Sequence, residues 1–137
     1  MEIIVDADVI IAAERGDEAL EAWLSSLVAD QLAVSAVTVA ELWHGVERAS
    51  AGHKNLRRSY LQHFLSGVRI LPYTESTAYE HTRIWADLVS HGEIIGLYDV
   101  IVAATAMQRH SPVATFNRRH FTRVKGLTLI DPIPPDR

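Results

Sequence analysis

The sequence predicts an α/β domain built on a mostly parallel sheet. Short runs of β-branched and aliphatic residues alternate with longer stretches whose apolar residues recur at helical spacing, which is typical of parallel strands joined by crossover helices. The first run, Ile3-Ile4-Val5, is apolar at every position, as in a central strand covered on both faces. With 137 residues, of which 48% are apolar, the chain can bury the core of one domain.

The other elements follow from the same two patterns. Further strands are predicted at 32–36, 68–71, 112–115 and 127–130, and a polar turn at 117–120. Helices are predicted from Asp8 to about Gly16, over 17–30, from Thr38 to about Ser50, and over 54–66, 75–91 and 97–107. Their spacing turns Val28, Leu56, Trp85 and Val89 towards the core, and Lys54, Arg57 and Arg58 towards solvent. We expect residues 1–131 to form one domain, followed by a loose proline-rich tail over 132–137.

Composition narrows the function classes. The absence of cysteine excludes disulfides and thiolate metal sites. No apolar run approaches the length of a membrane span, and acidic residues stand where a signal peptide would be basic, so we expect a cytoplasmic protein without membrane contact. The net charge of −4 is unlike that of proteins that bind nucleic acids by charge alone. A polyanionic substrate would therefore need a divalent cation and local basic residues.

Four polar residues fall at strand-to-helix junctions, namely Asp6, Glu41, Asp99 and Asn117. In a parallel sheet these junctions share one edge, where such folds bind their ligands. Converging carboxylates repel each other, and a bound Mg²⁺ or Mn²⁺ relieves the repulsion. Such a cation suits metal-assisted hydrolysis of a phosphodiester.

Each of these residues also has a purely structural interpretation. Asp8, Asp99 and Asn117 are common helix N-cap types. Thr38 and Glu41 match a capping box, in which the glutamate satisfies only a backbone N–H.

Four segments together carry a family resemblance: IIVDADVIIA, VSAVTVAELWHGV, IGLYDVIVAATAM and VATFNRRHFTRVKGL. In order and spacing they resemble the PIN-domain endoribonucleases, specifically the VapC-type toxins of bacterial toxin–antitoxin pairs. The resemblance implies a three-layer domain with a five-stranded parallel sheet of order 3-2-1-4-5, flanked by helices. It also implies an Mg²⁺ or Mn²⁺ site, single-stranded or tRNA-loop substrates, and a VapB-like antitoxin in the active-site groove. The toxin would be a homodimer that forms a heterotetramer or larger assembly with its antitoxin.

The resemblance also assigns residues. It implies metal ligation and catalysis by Asp6, Glu41 and Asp99, with the hydroxyls of Thr38 and Thr115 behind them. Asn117 joins the catalytic set where many members carry a fourth acid, and it brings no charge. Asp8 stands where the family usually has a neutral polar residue, and it either supplies charge to the site or caps the first helix.

The basic residues after the fourth junction, Arg118 and Arg119 with Arg123 and Lys125 beyond them, either hold the RNA backbone or form a solvated loop. His110 and His120 flank the fourth strand and are given no role.

Three other functions compete with the nuclease. A dehalogenase-type phosphatase needs a lysine near the phosphate and a later pair of acids, and Asp99 has no acidic neighbour. A receiver domain needs an aspartate after the third strand, where Leu71-Pro72-Tyr73 offers none. A catalytically degenerate PIN-like module that binds RNA or a partner would explain Asn117, although the retained acids argue against it.

Overall fold

The computed structural model describes residues 1–28 and 30–132, and its centre is a five-stranded sheet. Its strands pair in the order β3-β2-β1-β4-β5, and every neighbouring pair is parallel, so the predicted sheet is confirmed. Ile4 pairs with Ala33 on one side and with Val113 on the other, which puts the first strand in the middle. In chain order the strands are β1 (Ile3–Val5), β2 (Leu32–Ser35), β3 (Arg69–Leu71), β4 (Val113–Ala114) and β5 (Leu129–Ile130).

Helices connect successive strands, as the crossover connections of a parallel sheet require. None of those in the described residues is long and apolar enough to cross a membrane. The predicted turn at 117–120 forms one short helix instead, and the predicted tail lies almost wholly outside the described residues. The helices are α1 (Ala7–Glu14), α2 (Glu18–Ser26), α3 (Ala36–Arg48), α4 (Ala51–Ser66), α5 (Glu75–Ser90), α6 (Leu97–Arg109) and α7 (Arg118–Phe121).

The helices cover both faces of the sheet, which gives three layers. Because side chains alternate along a strand, Ile3 and Val5 pack with α1, α2, α3 and α4, whereas Ile4 packs with α5 and α6 on the opposite face. The small residues Ala103 and Ala104 let α6 approach the sheet closely, and both are fully buried. The central strand is thus shielded from water on both faces, and its carboxyl end opens at the edge of the sheet.

Four residues predicted to face the core are exposed instead. Helix α2 ends at Ser26, so the residue two positions later no longer follows the helical stripe. On α5 the buried stripe runs through Thr77, Ile84 and Leu88, rotated from the predicted one. The predicted orientation is therefore wrong for Val28, Leu56, Trp85 and Val89.

The expectation that Arg57 only faces solvent is also wrong. Its Nε donates to Glu14 Oε1 at 2.9 Å, and its Nη1 donates to the carbonyl oxygen of Gly45 at 3.1 Å. Arg57 therefore links α4 to α1 and α3. The sequence of one helix cannot show such a partner, because both acceptors lie on other elements.

Candidate active site at the carboxyl edge of the sheet

Asp6 follows the central strand and is buried, with 5% of its surface exposed. Its backbone is extended, and its Oδ1 accepts a hydrogen bond from the Ala7 N–H at 2.9 Å, so Asp6 is the N-cap of α1. Its Oδ2 accepts a second bond, from Thr115 Oγ1, also at 2.9 Å. The end of β4 therefore holds this carboxylate in place.

Asp8 lies in the first turn of α1, so the interpretation of Asp8 as the helix cap is wrong. Its Oδ2 accepts a hydrogen bond from the Phe116 N–H at 3.2 Å and lies 3.5 Å from Thr115 Oγ1, whose hydroxyl donates to Asp6. Its Oδ1 is buried and has no hydrogen-bond partner among the described residues. Asp8 thus adds a second carboxylate beside Asp6, and one of its oxygens remains available to a ligand.

Glu41 and Thr38 lie inside α3 rather than at its beginning. The N-cap of α3 is Ser35, whose Oγ accepts from the Val37 N–H at 3.4 Å, so the capping-box interpretation is wrong. The two residues are three positions apart and share a face of the helix. In the part of the chain that the structure describes, Thr38 Oγ1 and Glu41 Oε1 are both buried without a hydrogen-bond partner.

Asp99 also lies within a first helical turn, because Gly96 is the N-cap of α6. Its Oδ2 lies 2.8 Å from His120 Nδ1 and accepts a hydrogen bond from Asn117 Nδ2 at 3.3 Å. Asn117 occupies the N-cap position of α7, yet its side chain makes no capping bond and faces Asp99 instead. His120 had no predicted role, although its spacing of three residues from Asn117 places both on one side of a helical turn.

Burial and mutual repulsion raise the pKa values of Asp6, Asp8 and Glu41. Burial, followed by the charges of Asp8 and Asp99, raises the pKa of Asp6 to about 7. Burial, followed by the charges of Asp6, Asp99 and Asp8, raises the pKa of Glu41 to about 7 as well. The pKa of Asp8 is raised mainly by burial. Each acid is therefore within electrostatic reach of the others, and this edge of the sheet resists full ionisation at neutral pH.

The chemistry of these residues fits a hard divalent cation. Carboxylate oxygens are the preferred ligands of Mg²⁺ and Mn²⁺. Three buried side-chain oxygens of Asp8, Thr38 and Glu41 have no hydrogen-bond partner among the described residues. Within residues 1–28 and 30–132, no group of three or more acidic or histidine side chains has the arrangement that holds a metal ion. The acids form an electrostatic cluster, and a cation would compensate their charge.

The rim of this cluster carries basic and aromatic side chains. Arg118 is held by an ion pair, in which its Nη1 donates to Asp131 Oδ1 at 3.0 Å. Arg119 is exposed, and no ion pair engages it in the described chain. Phe116 is 42% exposed, while its N–H is bound to Asp8. Arg119 and Phe116 thus present exposed side chains just after β4.

Comparison with known proteins covers almost the whole chain. The PIN domain matches residues 3–127. Ribonuclease VapC of Rickettsia bellii is 30% identical over 131 residues, which cover 95% of this chain and 96% of that protein. The tRNA(fMet)-specific endonuclease VapC of Salmonella typhimurium is 31% identical over 106 residues, covering 77% and 79% of the two chains. DNA-bound VapBC from Salmonella typhimurium has a similar structure, with a TM-score of 0.89 at 25% identity over 96% of this chain and 98% of that one.

Proposed function

The chain belongs to the PIN-domain family, and we propose that it is a divalent-metal-dependent endoribonuclease, the toxin of a toxin–antitoxin pair. The observation that carries this proposal is the cluster formed by Asp6, Asp8, Glu41 and Asp99. Its acids repel each other, and two of them, together with Thr38, leave buried oxygens unpaired among the described residues. A purely structural role would not require so many unpaired buried oxygens at this edge of the sheet.

Asp6, Glu41 and Asp99 would hold the metal, with Asp8 beside them. A Mg²⁺ or Mn²⁺ ion bound there would lower the pKa of a bound water, and it would place positive charge next to the scissile phosphate. Thr115 holds Asp6 through its hydroxyl, and it also accepts a bond from the Asn117 N–H at 2.9 Å. Thr38 contributes a hydroxyl on the same face of α3 as Glu41. The bond from Thr115 sets the orientation of Asp6 before the substrate arrives.

The substrate we propose is RNA, in a tRNA or another structured loop. The name of the Salmonella relative specifies a tRNA as its target, which supports this class. The net charge of −4 makes uniform attraction of a polyanion weak, so local contacts must supply affinity. Arg119 is free to contact a phosphate, whereas Arg118 would first have to leave Asp131. The exposed ring of Phe116 offers a surface on which a base can stack.

A VapB-like antitoxin is the protein partner we propose. The Salmonella structure contains VapB together with VapC. The likeness extends over nearly the full length of this chain and of the one matched chain in that structure. We further propose that the toxin is a homodimer, that it forms a heterotetramer or larger assembly with its antitoxin, and that it acts in the cytoplasm.

The test is cleavage of total RNA by purified, antitoxin-free protein in Mg²⁺, in Mn²⁺ and in EDTA. We expect discrete fragments with either cation, none in EDTA, and none from Asp6→Asn protein that circular dichroism shows to be folded. Asp30→Asn, which removes an exposed carboxylate elsewhere, is the matched control and should cleave as the wild type does. Folded protein that binds RNA but cuts nothing with either metal would favour the degenerate binding module instead.

A further inference from the structure

Two side chains of α7 and its N-cap contact the same oxygen of Asp99. His120 Nδ1 lies 2.8 Å from Asp99 Oδ2, and Asn117 Nδ2 lies 3.3 Å from it. Both contacts therefore fall on one oxygen of the carboxylate. If they persist when a cation is bound, Oδ1 is the oxygen of Asp99 that remains to ligate it.

The short distances among these groups also indicate which atoms donate. His120 Nδ1 lies 3.0 Å from Asn117 Nδ2, and the amide nitrogen can only donate. One ring nitrogen cannot donate to Asp99 and accept from Asn117 at the same time. The contact with the carboxylate is the shorter one, and a carboxylate oxygen accepts, so this contact favours the tautomer with its proton on Nδ1. Both side chains then donate to Asp99, and the contact between them is one of packing.

The backbone around His120 is held firmly enough to fix this arrangement. The next residue, Phe121, is fully buried and anchors α7 against the sheet. At the start of the turn, the Asn117 N–H donates to Thr115 Oγ1, whose own hydroxyl donates to Asp6. The end of β4 thus connects the two aspartates, Asp6 directly and Asp99 through the α7 turn.

We propose that His120 is a positioning residue for the metal site. Its ring holds Asp99 by Oδ2, so that Oδ1 is the oxygen left to face the cation. This inference rests on the proposed metal-dependent function and refines it. It also changes the role of Asn117, whose amide donates to the same carboxylate as His120. Hydrogen-bond partners of metal ligands typically account for about 10–100-fold in metal affinity.

Two substitutions of similar shape separate the hydrogen bond from the space that the ring fills. His120→Asn keeps an N–H donor on an atom attached to Cγ, as Nδ1 is, whereas His120→Leu places a methyl group there. We expect Mn²⁺ affinity, measured by calorimetry on antitoxin-free protein, to fall about 10–100-fold in His120→Leu and to stay near the wild-type value in His120→Asn. Without metal, the melting temperatures of the two variants should differ little from that of the wild type, because the side chain of His120 is 38% exposed. His120→Ala replaces the leucine variant if that protein does not fold.

Electron spin-echo measurements on Mn²⁺-loaded protein provide the second readout. A positioning role predicts no nitrogen bound directly to Mn²⁺ in the wild type. A directly bound nitrogen, lost in both His120→Leu and His120→Asn, would overturn the proposal and make the ring itself a ligand. Unchanged affinity in His120→Leu would also overturn it. If the wild type bound no divalent cation, the proposed function would fail first, and this inference would fall with it.

Discussion

Replacing Asp6 by asparagine should stabilise the metal-free protein, and it should do so more strongly as the pH rises. The pKa of Asp6 is raised from an ordinary 3.8 to about 7, so the folded state binds this proton more tightly than the unfolded state. The stability that this difference contributes is fully present below 3.8 and is lost as the pH rises through about 7. At about 1.4 kcal/mol per tenfold change in proton affinity, ionised Asp6 costs the fold about 4 kcal/mol at pH 8.5.

The amide should keep the local hydrogen bonds. Its carbonyl oxygen can accept from the Ala7 N–H, as Asp6 Oδ1 does at 2.9 Å. The Thr115 hydroxyl can then accept from the new amide and donate to Asp8, whose Oδ2 already lies 3.5 Å away. The free energy gained by removing the charge should therefore exceed the free energy lost in the hydrogen bonds.

Urea unfolding of wild type and Asp6→Asn in EDTA, at pH 5 and pH 8.5, measures this effect. We expect the variant to be more stable by up to about 4 kcal/mol at pH 8.5 and by roughly 2 kcal/mol or less at pH 5. Asp30→Asn should show no such change with pH. Saturating Mg²⁺ should narrow or reverse the gap at pH 8.5, because the cation stabilises only the wild-type cluster. A gap that is equal at both pH values would refute the electrostatic reasoning.

Substitutions at three further positions test the site residue by residue. Glu41→Gln should weaken Mn²⁺ binding, which calorimetry measures. It should also raise the metal-free melting temperature above pH 7, measured by circular dichroism, because the pKa of Glu41 is raised to about 7. A lower melting temperature with unchanged Mn²⁺ affinity would contradict both expectations. Asp8→Asn should weaken Mn²⁺ binding without reducing helix content, because Asp6 and not Asp8 caps α1. Phe116→Ala should raise KM for RNA with little change in kcat, and Phe116→Trp should restore it; an unchanged KM would remove Phe116 from the RNA surface.

The sequence predicted the architecture better than the ends of its elements. The apolar run before Asp6 indicates a central strand, and the alternation with helices indicates a parallel sheet, whereas the strand order came from the family resemblance. The helix starts were wrong where several cap residues are adjacent. Asp6 and Asp8 are both good cap types, and Ser35 precedes Thr38 by three residues. The extended backbone of Asp6 and Ser35 decides between them, and composition does not encode it.

Contacts between distant elements were the other limit. The approach of the acids follows from the position of their junctions on parallel strands, so Asp6 and Asp99 were identifiable as a pair. The bond from His120 to Asp99 joins residues that are 21 positions apart, and it depends on a short helix that the sequence indicated only as a turn. The role of Asp8 also depends on contacts that are distant in sequence, because its partners Thr115 and Phe116 lie at the end of β4.

If one cluster of acids both binds the divalent cation and supports RNA cleavage, the two processes depend on metal concentration in the same way. The most direct measurement is a Mn²⁺ titration of antitoxin-free protein in which metal occupancy and the single-turnover rate of RNA cleavage are followed together. A shared site predicts that occupancy and rate rise over the same range of Mn²⁺ concentration, and that both are lost in folded Asp6→Asn protein. Cleavage that persists in EDTA, or full Mn²⁺ occupancy in folded protein that cuts no RNA, would contradict it.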